Sequence, residues 1–124
     1  MDKVEQALYW PESMLEDIRT QAVRLDRSLS WCAQRAWVLG GPRLRALEPL
    51  ADDPDAEAIY DAHFAKSADH RKQTLFFPID MVNAIQAEAA RLDRSKSWLV
   101  QRAWCLARAD VEKLPATGAP TDEE

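Results

Sequence analysis

The stretch RLDRSLSWCAQRAW, from Arg24 to Trp37, returns sixty-seven positions later as RLDRSKSWLVQRAW, from Arg91 to Trp104. At that offset, without gaps, eighteen of the thirty-five positions from Glu5 to Leu39 match their counterparts from Lys72 to Leu106. Gln6/Gln73, Leu8/Leu75, Pro11/Pro78, Met14/Met81, Ile18/Ile85 and Ala22/Ala89 are among them. The chain therefore carries an internal duplication. Two copies are too few for a solenoid, which needs three or more repeats to bury a continuous core. They suit a pair of units sharing one core.

Each unit reads the same way. EQALYWP and KQTLFFP are short and rich in aromatic and aliphatic residues, and each ends at a proline, which lacks the N–H a central ladder needs. Strand alternation sets Gln6, Leu8 and Trp10 against Glu5, Ala7 and Tyr9, and Gln73, Leu75 and Phe77 against Lys72, Thr74 and Phe76. After the proline, Met14, Leu15, Ile18, Ala22 and Leu25 form a helical stripe, repeated by Met81, Val82, Ile85, Ala89 and Leu92. LDRS breaks that period, and Ser28 and Ser95 are N-cap residues for a second helix. The first copy's second helix is expected over Leu29–Leu39, stopped by Gly40, Gly41 and Pro42; the other runs from Lys96 to about Lys113.

A strand with two one-faced helices cannot close a core, whereas two such units can, with antiparallel strands above four helices. The expected fold is mainly α with one two-stranded antiparallel ribbon. Residues 3–41 form the first repeat and 71–114 the second. Residues 42–70 form an acidic linker in which DPDAEAIYDAHFAK reads as a short helix capped by Asp55, with Ala56, Ile59, Tyr60 and Phe64 on one face docking on the helical layer. The tail, 115–124, has the composition of acidic disorder.

Charge follows this division. The net charge is −5, yet residues 48–69 hold seven acids against one base, and the tail three acids against none. Both repeats are mildly basic, the second more so, and the local field at a binding face outweighs the total. No apolar run approaches the roughly 18 residues of a membrane span, and MDKVEQALYW has no signal-peptide core. Cys32 and Cys105 stand apart within helical patterns and read as buried small hydrophobes in a reducing cytoplasm. With two histidines, three glycines and no nucleophile or phosphate-loop motif, neither a catalytic site nor a metal or cofactor site is expected.

The order strand–Pro–helix–DRSxS–helix resembles the ribbon-helix-helix fold of Arc- and MetJ-type repressors, over Glu5–Leu39 and Lys72–Arg108. The repeat is also similar to small myxobacterial ribbon-helix-helix proteins with RLDRSxSWxxQRAW, some of which are linked to DNA and to cyclic di-GMP. The resemblance implies a tandem, single-chain pseudo-dimer that inserts its ribbon into the major groove. The base-reading positions it implies are Glu5, Ala7 and Tyr9 with Lys72, Thr74 and Phe76. Lys72 suits guanine acceptors or phosphate, Thr74 either polarity, and Phe76 a thymine methyl, whereas Glu5 repels phosphate. The second-helix starts would clamp phosphates through Arg27, Ser28 and Ser30 and through Arg94, Ser95, Lys96 and Ser97.

Trp31/Arg35 and Trp98/Arg102 lie one helical turn apart. They form either a platform for a flat base or protein partner or filling between the repeats. The expected function is a sequence-selective double-stranded DNA-binding protein in the cytoplasm at the nucleoid, a transcriptional regulator, repressor or nucleoid-associated factor. Side-by-side association of two chains and a protein partner on the acidic linker are further expectations. The alternatives are a protein-interaction module that has lost DNA contact and a sensor whose ligand is cyclic di-GMP.

Overall fold

The computed structural model describes residues 2–67 and 69–116. The element order is β1 (Lys3–Pro11), α1 (Glu12–Leu25), α2 (Leu29–Arg45), α3 (Pro54–His63), β2 (His70–Pro78), α4 (Ile79–Leu92) and α5 (Lys96–Glu112). The protein is mostly helical with one two-stranded antiparallel sheet. Strand–helix–helix thus occurs twice, with α3 between the copies.

β1 and β2 pair with each other, Ala7 directly opposite Thr74. Those two positions are equivalent in the duplication, so the ladder reads alike from either end. Tyr9 faces Lys72 and Glu5 faces Phe76. The strands span nine residues each, longer than the apolar cores of EQALYWP and KQTLFFP, and both close on the expected prolines. Their inner faces bury Leu8, Trp10, Leu75 and Phe77. Full burial of side chains this size stabilises by roughly 1.5–3 kcal/mol each, which a two-stranded ribbon needs because it is marginal alone.

α1 presents its expected stripe, with Met14, Leu15, Ile18, Ala22 and Leu25 buried, and α4 buries Val82, Ile85, Ala89 and Leu92 of its own but leaves Met81 half-buried at the edge of the core. Both end on an aspartate in the left-handed conformation, Asp26 (φ 55°) and Asp93 (φ 57°). The amides of Asp26 and Arg27 return to Val23 and Ala22, closing the last turn, and Asp93 and Arg94 do the same to Ala90 and Ala89. The next residue but one, Ser28 or Ser95, caps the following helix by accepting the N–H of Trp31 or Trp98 at 2.9 Å. LDRS is a stop, a step and a start in four residues.

Two helix boundaries differ from expectation. α2 does not stop at Leu39 but continues through Gly40, Gly41 and Pro42 to Arg45, making it as long as α5. The reason is packing: a Cβ on Gly40 would lie 2.6 Å from the Ala103 carbonyl oxygen of α5. Gly40 permits a close helix crossing there and ends nothing. Pro42 forfeits one hydrogen bond in the last turns of a helix held by that crossing. The cap of α3 is Asp53, whose carboxylate accepts from Asp55 and Ala56 at 2.9 and 3.1 Å, because Pro54 takes the first helical position.

α3 docks on α5 as expected, burying Ala56 and Phe64. Reciprocal bonds tie the copies together. Arg24 donates to the Val111 and Leu114 carbonyls at the end of α5. Its counterpart Arg91 donates to Leu44, Arg45 and Leu47 at the end of α2. Asp17 on α1 accepts from Trp104 Nε1 and from both arms of Arg108 on α5. Both cysteines are free and buried, and burial raises the Cys32 thiol pKa to about 11 and the Cys105 thiol to about 12. Residues 117–124, most of the expected disordered tail, lie outside the described residues. Among the described residues no helix is long and apolar enough to cross a membrane.

Candidate nucleic-acid interface

Glu5, Ala7, Tyr9, Lys72, Thr74 and Phe76 all lie on the exposed face of the ribbon, as the alternation predicts. Tyr9 is 52% exposed and Phe76 43%, large values for aromatic side chains on a strand. Lys3 joins the same face. Across the ladder the face reads Glu5–Phe76, Ala7–Thr74, Tyr9–Lys72. One end offers an aromatic ring beside a carboxylate and the other an aromatic ring beside an ammonium group, so the face is asymmetric although the backbone beneath it is not.

The second-helix starts flank this ribbon, one at each edge, through bonds not expected from the sequence. Ser97 Oγ accepts the N–H of Tyr9 at 2.9 Å, and Gln101 Nε2 donates to the Tyr9 carbonyl at 2.7 Å. On the other edge Ser30 Oγ accepts the N–H of Phe76 at 3.0 Å, and Gln34 Nε2 donates to the Phe76 carbonyl at 2.8 Å. A two-stranded ribbon has two open edges, each with unpaired backbone groups. Here the helix of each copy satisfies the strand of the other. Tyr9 and Phe76 bond outward at both backbone groups, which marks their cross-strand pairs as the non-hydrogen-bonded kind, in which facing side chains lie closer.

The expected phosphate contacts divide accordingly. Ser28 and Ser95 cap their helices. Ser30 and Ser97 hold the strand edges. Lys96 Nζ donates to Gln6 Oε1 at 3.0 Å, and Arg94 grips the linker at the Leu50 carbonyl and, at 2.7 Å, at Asp52. Arg27 lies over Trp31 at 4.6 Å from the ring centroid. By helix geometry the amides of Leu29 and Ser30, and of Lys96 and Ser97, have no intrahelical acceptor, and they sit at the positive ends of α2 and α5 beside the ribbon.

The two Trp–Arg pairs have different surroundings. Trp98 lies between Arg94 (4.3 Å) and Arg102 (5.2 Å), and Arg102 also covers Tyr60 of α3 at 4.0 Å. The Arg102 guanidinium binds both Glu57 carboxylate oxygens, at 2.8 and 3.0 Å. Burial works against its charge, but Glu57 more than offsets this and the Arg102 pKa moves up. Trp31 lies near Arg27 and Arg35 (5.2 Å), and among the described residues Arg35 has neither the carboxylate nor the stacked tyrosine that Arg102 has. Of the linker acids expected to attract a partner, Asp52, Asp53, Asp55 and Glu57 pair with Arg94, Arg43 and Arg102 of this same chain.

Sequence reasoning passed over Gln34 and Gln101 as strand clamps. A signal was present: Ser30/Gln34 and Ser97/Gln101 are one turn apart and unchanged between copies, while Leu29/Lys96, Cys32/Leu99 and Ala33/Val100 differ around them. No family model, curated protein or solved structure matches this chain.

Proposed function

We propose that the chain is a tandem ribbon-helix-helix protein that binds double-stranded DNA by laying its ribbon in the major groove, acting as a transcriptional regulator or nucleoid-associated factor. One observation carries this reading: β1 and β2 pair within the chain, so that Tyr9, Lys72, Thr74 and Phe76 share one exposed face with a helix N-terminus bound to each edge. A major groove about 12 Å wide admits a two-stranded ribbon, and helix starts on either side are placed to meet the phosphates bordering it. Lys72 and Thr74 supply hydrogen bonds to base edges, and Tyr9 and Phe76 apolar contact. Glu5 accepts only, and it gives the two ends of the ribbon different preferences.

The test is titration of labelled duplex with the full chain at two salt concentrations. Binding that weakens steeply with salt supports the reading, because phosphate contacts release counterions. Lys72→Glu then abolishes binding with the helical content unchanged. Absence of binding at low salt overturns the DNA reading in favour of a protein-interaction module.

A further inference from the structure

The duplication allows the flanks of α2 and α5 to be compared position by position. On α5, Trp98, Arg102 and Cys105 form a stripe that α3 covers: Glu57 holds Arg102 at both oxygens, Tyr60 stacks on it, and Cys105 is 1% exposed. The same stripe on α2 is Trp31, Arg35 and Val38. Val38, the counterpart of buried Cys105, is 50% exposed, and Leu39 beside it 37%. Arg35 rests on Trp31 and makes no ion pair among the described residues. The linker occurs once, so among the described residues one flank is covered by a helix and the other is not.

We propose that the Trp31–Arg35–Val38 flank of α2 is a docking surface for an acidic amphipathic helix of another polypeptide, engaged as α3 engages α5. The covered flank defines the chemistry. The occupant brings a carboxylate to the Arg35 guanidinium, an aromatic ring three residues later to lie against it, as Tyr60 follows Glu57, and a small residue such as Ala56 at the contact. Such a helix places an anion on a cation and apolar atoms on Val38 and Leu39. The match between flanks is incomplete at one end: Arg108, which lies 5.8 Å from the Phe64 ring, is replaced by Gly41. That end of the α2 flank is therefore less basic. This inference is independent of DNA binding, since it uses a helix flank and none of the ribbon's exposed face.

The probe is a fluorescein-labelled peptide of residues 53–65 of this protein, titrated with the intact chain and followed by anisotropy. Saturable binding is expected, weakened about tenfold or more by Arg35→Ala or Val38→Asp in the chain and by Glu57→Gln in the peptide, with circular dichroism of both chain variants unchanged. Binding indifferent to Arg35→Ala and Val38→Asp means the peptide displaces α3 from α5, and overturns the proposal. So does absence of binding at 100 µM peptide. Binding that appears only in a chain ending at Leu114 identifies the C-terminal tail as occupant, and an Arg35-dependent dimer in sedimentation identifies a second copy; either replaces the proposal. Cyclic di-GMP quenching of tryptophan fluorescence that is lost in Arg35→Ala, without peptide binding, assigns the flank to a nucleotide and likewise overturns it.

Discussion

Ser97 Oγ accepts the backbone N–H of Tyr9 at 2.9 Å, so a helix of the second copy secures a strand of the first. Gln101, buried one turn further on, takes the carbonyl of the same residue. The exposed aromatic ring of Tyr9 therefore stands on a backbone fixed at both polar groups.

Removing these clamps loosens the ribbon without removing its core. Ser97→Ala lowers stability by about 1 kcal/mol, the net worth of a typical protein hydrogen bond. Gln101→Leu costs more, about 1–3 kcal/mol, because it leaves the Tyr9 carbonyl without its partner. Urea unfolding checks both: the midpoint falls and the slope stays the same. Hydrogen exchange at the Tyr9 amide accelerates in Ser97→Ala, while that of Phe76, held by Ser30, does not.

Neighbouring glycines respond differently to alanine. Gly40→Ala drives a Cβ against the Ala103 carbonyl oxygen and costs about 1–3 kcal/mol of overpacking, despite the better helix propensity of alanine. At Gly41 the nearest atoms to an added Cβ are Trp37 ring carbons at 3.4 Å, so Gly41→Ala is neutral or gains up to about 1 kcal/mol. Thermal unfolding should show a lowered midpoint for Gly40→Ala and an unchanged or raised one for Gly41→Ala. A fall of equal size in both would remove the packing explanation for α2 passing through its glycines.

The two thiols are protected by burial. Cys32 and Cys105 have pKa values raised to about 11 and about 12, from the usual 9.0, because the folded interior disfavours the thiolate. In the native protein neither reacts with Ellman's reagent at pH 8 on a timescale shorter than global opening, and both react at once in guanidinium. The sign of the pH dependence follows. The folded values are raised, so the thiols' contribution to stability is fully present below pH 9 and declines above it, being lost as pH rises through about 11 to 12. Denaturation midpoints between pH 8 and 11 report that decline, and it is smaller in a Cys32→Ala chain than in the parent.

On the DNA reading, Glu5 and Lys72 act in opposition. Glu5→Gln removes a repulsive carboxylate from the exposed face and tightens duplex binding severalfold at low salt, whereas Lys72→Gln weakens it and reduces the salt slope by about one. Duplex titration of both variants over a salt series measures this. Equal effects of the two substitutions would show that the ribbon face does not meet the duplex.

Patterns of period two and period 3.6 carried most of the fold. The sidedness of Leu8, Trp10, Leu75 and Phe77, the stripes of α1 and α4, and the LDRS junction are all local, and each was legible. What escaped was non-local. Gly40 and Pro42 spell a helix end by local chemistry, and only the approach of Ala103 from the other copy makes Gly40 a crossing point. The hydroxyls of Ser30 and Ser97 stand at helix starts, and nothing local shows that they also accept strand amides 46 and 88 residues away along the chain. The same holds for Arg94, whose guanidinium belongs to Asp52 and the linker backbone. For α3, local chemistry offered two acids in DPD, and the proline between them decides for Asp53.

The single helix between the copies sits along α5, while on α2 only Arg43, at the C-terminal end, meets it, through Asp53 and Asp55. A molecule with matched halves would meet a symmetric target equally well after a half-turn. This one does not: turning it end for end exchanges its acid-shielded shoulder for its open one. On the DNA reading, a duplex under the ribbon is therefore given a left and a right by the protein, even where its sequence has neither.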